Sequence, residues 1–460
     1  VKTQIEYSNY YFLGIGGIGM SAIARYFKSH GYNVAGYDRT MSHLCQDLMR
    51  EGIAVSTNED VTAIPAAMLD NSRTLVIYTP AIPHNHPQLT YFLEHDFRVV
   101  KRSEVLGMLT ENLLALCVAG THGKTTTSTI LAHLLHQSDI DCNAFLGGIS
   151  NNYNSNLLLS SQSNIVVVEA DEYDRSFLHL KPYMSIITSC DPDHLDIYGC
   201  AEQYRKGFID FMKLTQPSGA LILKKGIFSQ QELQDIKVKK YTYAVDEHAD
   251  FYADNIVISG GDLRFDFHTP TESITDLRLG VPVQINIENS VAAMAVAWLN
   301  GVSLHELRSG LSSYSGIYRR FNILCRTGRN IVIDDYAHHP KEIHASIDSI
   351  RLLYPDKQII GVFQPHLYSR TKDFAEDFAK ELSRLDEVIL LPVYPAREEP
   401  IQGVSSAMLL EKIDGNNKLL CQKDELVDFL RRYENSVILM LGAGDIDQLS
   451  PLVAQDQNKQ

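Results

Sequence analysis

Residues 113–127 read LLALCVAGTHGKTTT. An apolar run enters the turn Gly120-Thr121-His122-Gly123, and Lys124-Thr125-Thr126-Thr127 leads into helix-forming sequence. A strand, a glycine turn and a helix in that order aim backbone N–H groups at phosphate oxygens. The first helical turn has N–H groups without intrahelical acceptors, and its dipole favours anions. Lys124 adds a point charge near a transferring phosphoryl group, and the Thr125 hydroxyl suits a Mg²⁺ shell. Gly120-x-x-Gly123-Lys124-Thr125 is shorter than the common G-x-x-x-x-G-K-[ST] loop. It nevertheless predicts an α/β domain that holds the phosphates of ATP through Gly120, Thr121, Gly123, Lys124, Thr125 and Thr126. The alternative is an ordinary strand–turn–helix whose lysine points to water.

Upstream, Tyr10–Leu13 reads as a strand, Gly14-Ile15-Gly16-Gly17-Ile18-Gly19 as a glycine turn, and Met20–His30 as a helix ended by Gly31. Strands Asn33–Tyr37 and Thr74–Tyr78 follow, the first stopping at Asp38. This is a βαβ nucleotide-binding pattern, matching G-x-G-x-x-G at Gly14, Gly16 and Gly19. It does not distinguish a dinucleotide from the diphosphate of a nucleotide-sugar. Asp38 is either an acceptor for ribose or base, or a turn residue.

Downstream, strands Val166–Val168 and Ser185–Thr188 end in Glu169-Ala-Asp171-Glu172 and Cys190-Asp191-Pro192-Asp193-His194. Strands Leu221–Leu223 and Leu263–Phe267 and the alanine-rich helix Asn289–Leu299 complete this region. A last region has strands Asn330–Ile333, Ile359–Phe363, Val388–Leu391 and Val437–Leu441, with polar residues at their C-terminal ends, where open α/β sheets bind ligands. The tail from Val453 reads as frayed. The pattern predicts three α/β domains: residues 1–108 Rossmann-like, 109–321 P-loop ATPase-like with a mostly parallel sheet, and 322–460 Rossmann-like.

Composition bounds the reading. The chain has 460 residues and a formal charge of −15, which argues against nucleic acid and anionic membranes as partners. Its seven cysteines are scattered and form no C-x-x-C pair, as in a reduced cytoplasmic protein. Neither an apolar signal segment nor a membrane-length apolar run is visible.

Glu169, first off its strand after the P-loop, reads as a Mg²⁺ ligand, while Asp171 and Glu172 suit helix capping as well. Metal ligation, general-base and structural roles stay open for His194. In Asp335-Tyr336-Ala337-His338-His339-Pro340 a carboxylate suits ribose hydroxyls and a histidine suits phosphate, or the loop merely caps the next helix. Arg370, near His366, suits a substrate carboxylate. Arg319 and Arg320 suit either phosphate contact or an interdomain salt bridge.

Together GIGGIGM (14–20), AGTHGKTTT (119–127), EADEYDRSFLHL (169–180), DPDHLDIYG (191–199), YRRF (318–321), DDYAHHP (334–340) and FQPHLYSR (363–370) resemble the Mur ligase family, over nearly all of the chain. The resemblance implies an ATP-dependent ligase of peptidoglycan synthesis with UDP-binding, ATPase and amino-acid-binding domains. It implies that UDP-N-acetylmuramate, L-alanine and ATP are substrates, that an acyl phosphate is the intermediate, and that Mg²⁺ is required. A recycling ligase that adds a whole peptide is the alternative. The protein would be a monomer or homodimer.

By the same resemblance, Gly14, Gly16, Gly17 and Gly19 meet the UDP diphosphate, Asp38 the uridine side, and His122 lies towards the UDP-sugar. Lys124 and Thr125 go to ATP phosphate and Mg²⁺, with Glu169 and His194 as metal ligands. Asn286 and Asn289 fall near adenine, Arg320 at ATP phosphate, Asp335 at the ribose with His338 beside it. His366 and Arg370 fall at the amino acid, and Lys124, His194 and Arg370 form the catalytic set. Two departures stand out. Phe208 occupies the position where sister ligases carry a carbamylated lysine, with Lys206 two residues away. Ile285 replaces a histidine on the adenine side. A nicotinamide-dependent dehydrogenase and a noncatalytic nucleotide sensor are the competing functions from other classes.

Overall fold

The computed structural model describes residues 7–396, 398–415 and 417–459. Three α/β sheets follow one another along the chain. The first has strands β1 (Asn9–Leu13), β2 (Asn33–Tyr37), β3 (Ala54–Ser56), β4 (Thr74–Tyr78) and β5 (Arg98–Lys101), and helices α1 (Ile18–Ser29), α2 (His43–Arg50), α3 (Pro87–Glu94) and α4 (Arg102–Thr110). All pairings are parallel, in the order β3-β2-β1-β4-β5. Strand order reverses between β1 and β4, so the turn after β1 opens at the switch point where such sheets bind ligands. Strand β1 is buried along its whole length, and Tyr10 stacks on Phe27 of α1 with ring centroids 3.7 Å apart.

The second sheet has ten strands: β6 (Leu114–Ala119), β7 (Asn143–Ser150), β8 (Ser155–Leu158), β9 (Ile165–Glu169), β10 (Pro182–Ile187), β11 (Ala220–Lys224), β12 (Lys239–Val245), β13 (Phe251–Ser259), β14 (Asp262–His268) and β15 (Ser273–Arg278). Their order is β15-β14-β13-β12-β11-β10-β6-β9-β7-β8. Helices α5 (Lys124–His136), α6 (Leu195–Tyr198), α7 (Ala201–Lys213), α8 (Ile285–Leu299) and α9 (Leu304–Ser313) accompany it. The expected strands fall in β6 and β9–β11, with Thr188 one residue past the end of β10. The single alternating run expected at 263–267 is one of four strands between 239 and 278, and the hairpin β7–β8 is additional. Helix α8 starts four residues before its expected beginning.

Helix α5 carries Thr125, Thr126, Thr127 and Thr129, poor helix formers by intrinsic propensity. Burial overrides propensity, and three hydroxyls of this stretch are hydrogen-bonded. Thr129 Oγ1 and Ser128 Oγ donate to Thr125 O at 2.6 and 3.1 Å, and Thr127 Oγ1 donates to Asn289 Oδ1 at 3.2 Å.

The third sheet has strands β16 (Asn322–Arg326), β17 (Asn330–Asp335), β18 (Gln358–Phe363), β19 (Glu387–Leu390), β20 (Lys418–Leu420) and β21 (Ser436–Leu441), ordered β16-β17-β21-β18-β19-β20. Its helices are α10 (Pro340–Leu353), α11 (Tyr368–Asp373), α12 (Ala375–Leu382), α13 (Ser406–Lys412), α14 (Leu426–Leu430) and α15 (Ser450–Gln457). The sequence pattern missed two edge strands. β16 pairs antiparallel with β17, and β20 has only three residues. The sequence reads as frayed from Val453, whereas α15 is helical through Gln457. Val453 and Ala454 are buried in one apolar cluster with Cys325, Val332 and Leu430, so α15 is packed through tertiary contacts its polar composition conceals.

The chain divides into two compact units. One comprises residues 1–255, 265–277 and 285–315, the other 256–264, 278–284 and 316–460. The first sheet and most of the second therefore lie in one unit, with parts of β13–β15 assigned to the other, and one apolar cluster contains residues of both sheets. Helix α1 docks on β7 and β8. Tyr26 meets Phe145 at 5.6 Å, Arg25 donates to Asn156 Oδ1 at 2.6 Å, and Asn156 Nδ2 donates to Ser21 Oγ at 2.9 Å. Among the described residues no helix is long and apolar enough to cross a membrane.

Candidate active site

Strand β6 delivers the phosphate loop. Gly120 has φ +144° and Gly123 φ +79°. Gly123 is the N-cap of α5, and a Cβ there would lie 2.6 Å from Asn289 Oδ1. Both the left-handed backbone and the crowding therefore require glycine. Gly123→Ala is expected to displace the first turn of α5 and weaken ATP binding about tenfold or more, consistent with about 1–3 kcal/mol of backbone strain. Calorimetric titration with ATP and Mg²⁺ checks this. An unchanged dissociation constant would show that the loop tolerates the methyl group.

Lys124 Nζ donates to Gly120 O at 2.7 Å and meets the carboxylate of Glu172, 2.9 Å from Oε1 and 2.7 Å from Oε2. The Glu172 side chain is 1% exposed. Burial pushes its carboxyl above the usual range, with Lys124 pulling the other way. Tyr204 Oη lies 3.4 Å from Glu172 Oε1 and 2.9 Å from Thr121 Oγ1, and Tyr198 Oη donates to the Glu172 carbonyl at 2.6 Å. The intimate acidic partner of the P-loop lysine is thus Glu172, which the sequence left among capping candidates.

Glu169 ends β9 opposite Val118 of β6, beside the start of the loop. His194, with φ +51°, precedes α6, and its Nε2 is 3.9 Å from Glu172 Oε1. A bulky residue held in that backbone region is strained, as residues at functional sites often are. Thr125 is buried in the first turn of α5. Among the described residues no three His, Cys, Asp or Glu side chains gather closely enough to hold a metal ion. Thr125, Glu169 and His194 are nevertheless brought to one end of the sheet. They offer a hydroxyl, a carboxylate and an imidazole, of which the oxygens are the hard donors Mg²⁺ prefers.

Asn286 and Asn289 are buried, and Asn289 faces the phosphate loop, with its Nδ2 donating to Asn286 Oδ1 at 3.3 Å. Ile285 is exposed. Phe208 is fully buried against Phe177, and Lys206 is exposed. No lysine side chain therefore starts from position 208.

In the N-terminal sheet Gly14 turns the chain at φ +88°, and Gly16 N donates to Asp38 Oδ2 at 2.8 Å. The other Asp38 oxygen accepts from Thr40 N at 3.1 Å. Asp38 therefore shapes the glycine turn, which is the turn role among its sequence alternatives. Gly17 precedes α1, and Gly19 lies in its first turn, where the Arg102 guanidinium sits against it. Arg102 also meets Asp171 at 3.3 Å, and Lys101 meets Asp174 at 2.6 Å. These two cations were missed. The available signal was their position at the cap and first residue of a helix, near Glu104, whose carboxylate accepts from Lys101 N at 3.0 Å. His122 is exposed, with Nε2 3.8 Å from Asp191.

The other unit brings together a second set. Arg319, buried at φ +60°, reaches Asp334 at 3.4 Å and donates to the carbonyls of Gly442 and Gly444. It is a structural arginine, whereas Arg320 beside it is exposed. Asp335 accepts from the Ser346 hydroxyl, and burial pushes its carboxyl up to about 6. His338 Nδ1 is 2.8 Å from Tyr336 O, and the His338 and His366 rings lie 6.2 Å apart. His366 stacks on Tyr394 at 5.7 Å, and its Nδ1 is 3.3 Å from Arg370 Nη1. Leu367 at φ +69° makes the turn between His366 and α11.

Family models match in the same order. One described as Mur ligase family, catalytic domain, covers residues 9–113. The Mur ligase middle domain covers 118–297, and the Mur ligase, glutamate ligase domain covers 319–444. The chain is 57% identical over 441 residues to a UDP-N-acetylmuramate–L-alanine ligase of Porphyromonas gingivalis, spanning 95% of this chain and 96% of the relative. Among solved structures it resembles a UDP-N-acetylmuramate-alanine ligase of Thermotoga maritima, with TM-score 0.81 and 26% identity over 98% and 99% of the two chains. A murein peptide ligase of Psychrobacter arcticus shares the fold, with TM-score 0.67 and 21% identity over 98% of each chain.

Proposed function

The chain belongs to the Mur ligase family, and from that premise we infer that it joins L-alanine to the lactyl carboxylate of UDP-N-acetylmuramate. ATP is converted to ADP and phosphate, and the product enters peptidoglycan synthesis. The observation that carries this reading is the 57% identity, over nearly the whole of both chains, to an L-alanine-adding relative. The carboxylate attacks the γ-phosphorus of ATP, ADP leaves, and the amine of L-alanine attacks the resulting acyl phosphate. The tetrahedral adduct then releases phosphate and leaves the amide.

In this chain Gly120, Thr121, Gly123 and Thr126 wrap the ATP phosphates, and Lys124 stabilises charge on the transferring group. Thr125, Glu169 and His194 would hold Mg²⁺, which neutralises phosphate charge when bound. Asn286 and Asn289 lie on the adenine side, Arg320 and His338 serve phosphate, and Asp335 serves the ribose. Gly14, Gly16, Gly17 and Gly19 take the UDP diphosphate, with Asp38 shaping that turn and His122 towards the sugar. His366 and Arg370 receive the amino acid. The free cysteines fit a reduced cytoplasmic setting, with the enzyme a monomer or homodimer.

Phosphate release in UDP-N-acetylmuramate, ATP and Mg²⁺ is the test. Release should depend on L-alanine and stay at background with the tripeptide L-Ala-D-Glu-meso-diaminopimelate. Release with the tripeptide alone would reassign the enzyme to peptide recycling.

A further inference from the structure

Lys124 has three N–H donors, and protein oxygens engage it: Gly120 O at 2.7 Å, the Glu172 carboxylate at 2.7 and 2.9 Å, and Thr121 O at 3.5 Å. Two of these acceptors are backbone atoms of the loop itself. The third is the side chain of Glu172, which is nearly inaccessible and therefore poorly screened. The carboxylate is also steadied. Tyr204 Oη lies 3.4 Å from Oε1 and spans to Thr121 of the loop, while Tyr198 fixes the Glu172 carbonyl at 2.6 Å. The backbone just beyond is wound left-handed at Asp174 and Arg175, and Lys101 and Arg102 hold Asp174 and Asp171 from the N-terminal sheet.

We propose that Glu172 is a positioning residue of the ligase reaction, one that holds the Lys124 ammonium over the loop and competes for it with the nucleotide's terminal phosphate. The proposal rests on reading residues 120–126 as the ATP loop and deepens it. An anion arriving at this loop must draw Lys124 away from Glu172, and it meets the repulsion of a second buried negative charge. Both effects weaken nucleotide binding. In return the lysine is pre-aimed, with less rotamer freedom to lose when the phosphoryl group transfers. Glu172 thus trades nucleotide affinity for transition-state alignment, which is the direction that raises kcat.

The experiment measures ADP binding in EDTA by calorimetry, which removes the metal from the comparison, beside steady-state kinetics with Mg²⁺. Glu172→Gln keeps the shape and removes the charge. It should bind metal-free ADP about tenfold more tightly, between the water-like and protein-like Coulomb limits for charges about 5 Å apart. It should also lower KM for ATP and kcat together. A glutamate needed only for folding would leave ADP affinity unchanged or weakened. Either result in a variant that melts cooperatively overturns the proposal. Glu172→Asp keeps the charge but draws it back from Lys124 by one methylene, so it provides a second reading if Glu172→Gln fails to fold. It should tighten ADP about threefold, a smaller share of the same Coulomb effect, and an unchanged value overturns the proposal. Lys124→Ala separates the underlying site reading. If it fails to weaken ADP binding, residues 120–126 are not the ATP loop, and both readings fall.

Discussion

Lys124→Ala should lower kcat by about 10²–10³-fold, the range for losing one preorganised donor to developing charge. UDP-N-acetylmuramate affinity should change by less than about threefold, because that substrate's diphosphate is assigned to the turn after β1, on a different sheet. The structure adds a second consequence. Truncating the lysine strands the Glu172 carboxylate, 1% exposed, without its cation. Breaking a buried pair in this way costs about 3–5 kcal/mol, so Lys124→Ala should also melt at lower temperature. Lys124→Ala combined with Glu172→Gln removes the stranded charge and should recover much of the melting temperature while kcat stays low. Thermal melts and single-turnover phosphate release on the same samples separate the two effects. Recovery of kcat along with stability would show that Lys124 supports the fold and not the phosphoryl transfer.

Arg370→Ala should raise KM for L-alanine about ten- to a hundredfold and leave KM for ATP and UDP-N-acetylmuramate nearly unchanged. Charge-assisted hydrogen bonds contribute roughly 1.5–3 kcal/mol, equivalent to about one to two decades of affinity. Arg370 Nη1 lies 3.3 Å from His366 Nδ1, and His366 is itself stacked on Tyr394. The guanidinium therefore starts from a braced position, and Arg370→Lys, lacking the planar fork, should recover only part of the loss. Varying each substrate in turn reads the effect. An unchanged KM and kcat for L-alanine would make Arg370 a brace for His366 alone.

The phosphate loop was legible because apolar strand, glycine turn and helix follow one another at 113–127, and the structure keeps that order. The buried parallel strands were legible for a related reason. Runs such as Ile359–Phe363 and Val437–Leu441 have both faces covered and read as unbroken apolar stretches. Edge elements carry weaker signals. β16 is antiparallel and only partly buried along most of its length, and β20 has three residues. The burial of α15 was invisible because two residues, Val453 and Ala454, provide most of its apolar contact. Glu172 was missed for a different cause. Four acids crowd residues 169–174, and composition does not say which one turns inward. Left-handed geometry at Asp174 and Arg175, with cations from residues 101 and 102, accompanies the turn that buries Glu172.

The docking of α1 on the β7–β8 hairpin bears on how such enzymes exchange parts. Tyr26 on Phe145, Arg25 on Asn156 and Asn156 on Ser21 tie the first βα unit to a hairpin more than 100 residues later. A chimera that swaps the N-terminal sheet of a sister ligase at the strand boundary would import a foreign α1 surface. It would leave Asn156 without its hydroxyl and guanidinium partners at a buried position. Such a graft has to carry residues 143–158 along with the sheet, so the transplantable piece is discontinuous in sequence, and the first sheet is inherited together with part of the second.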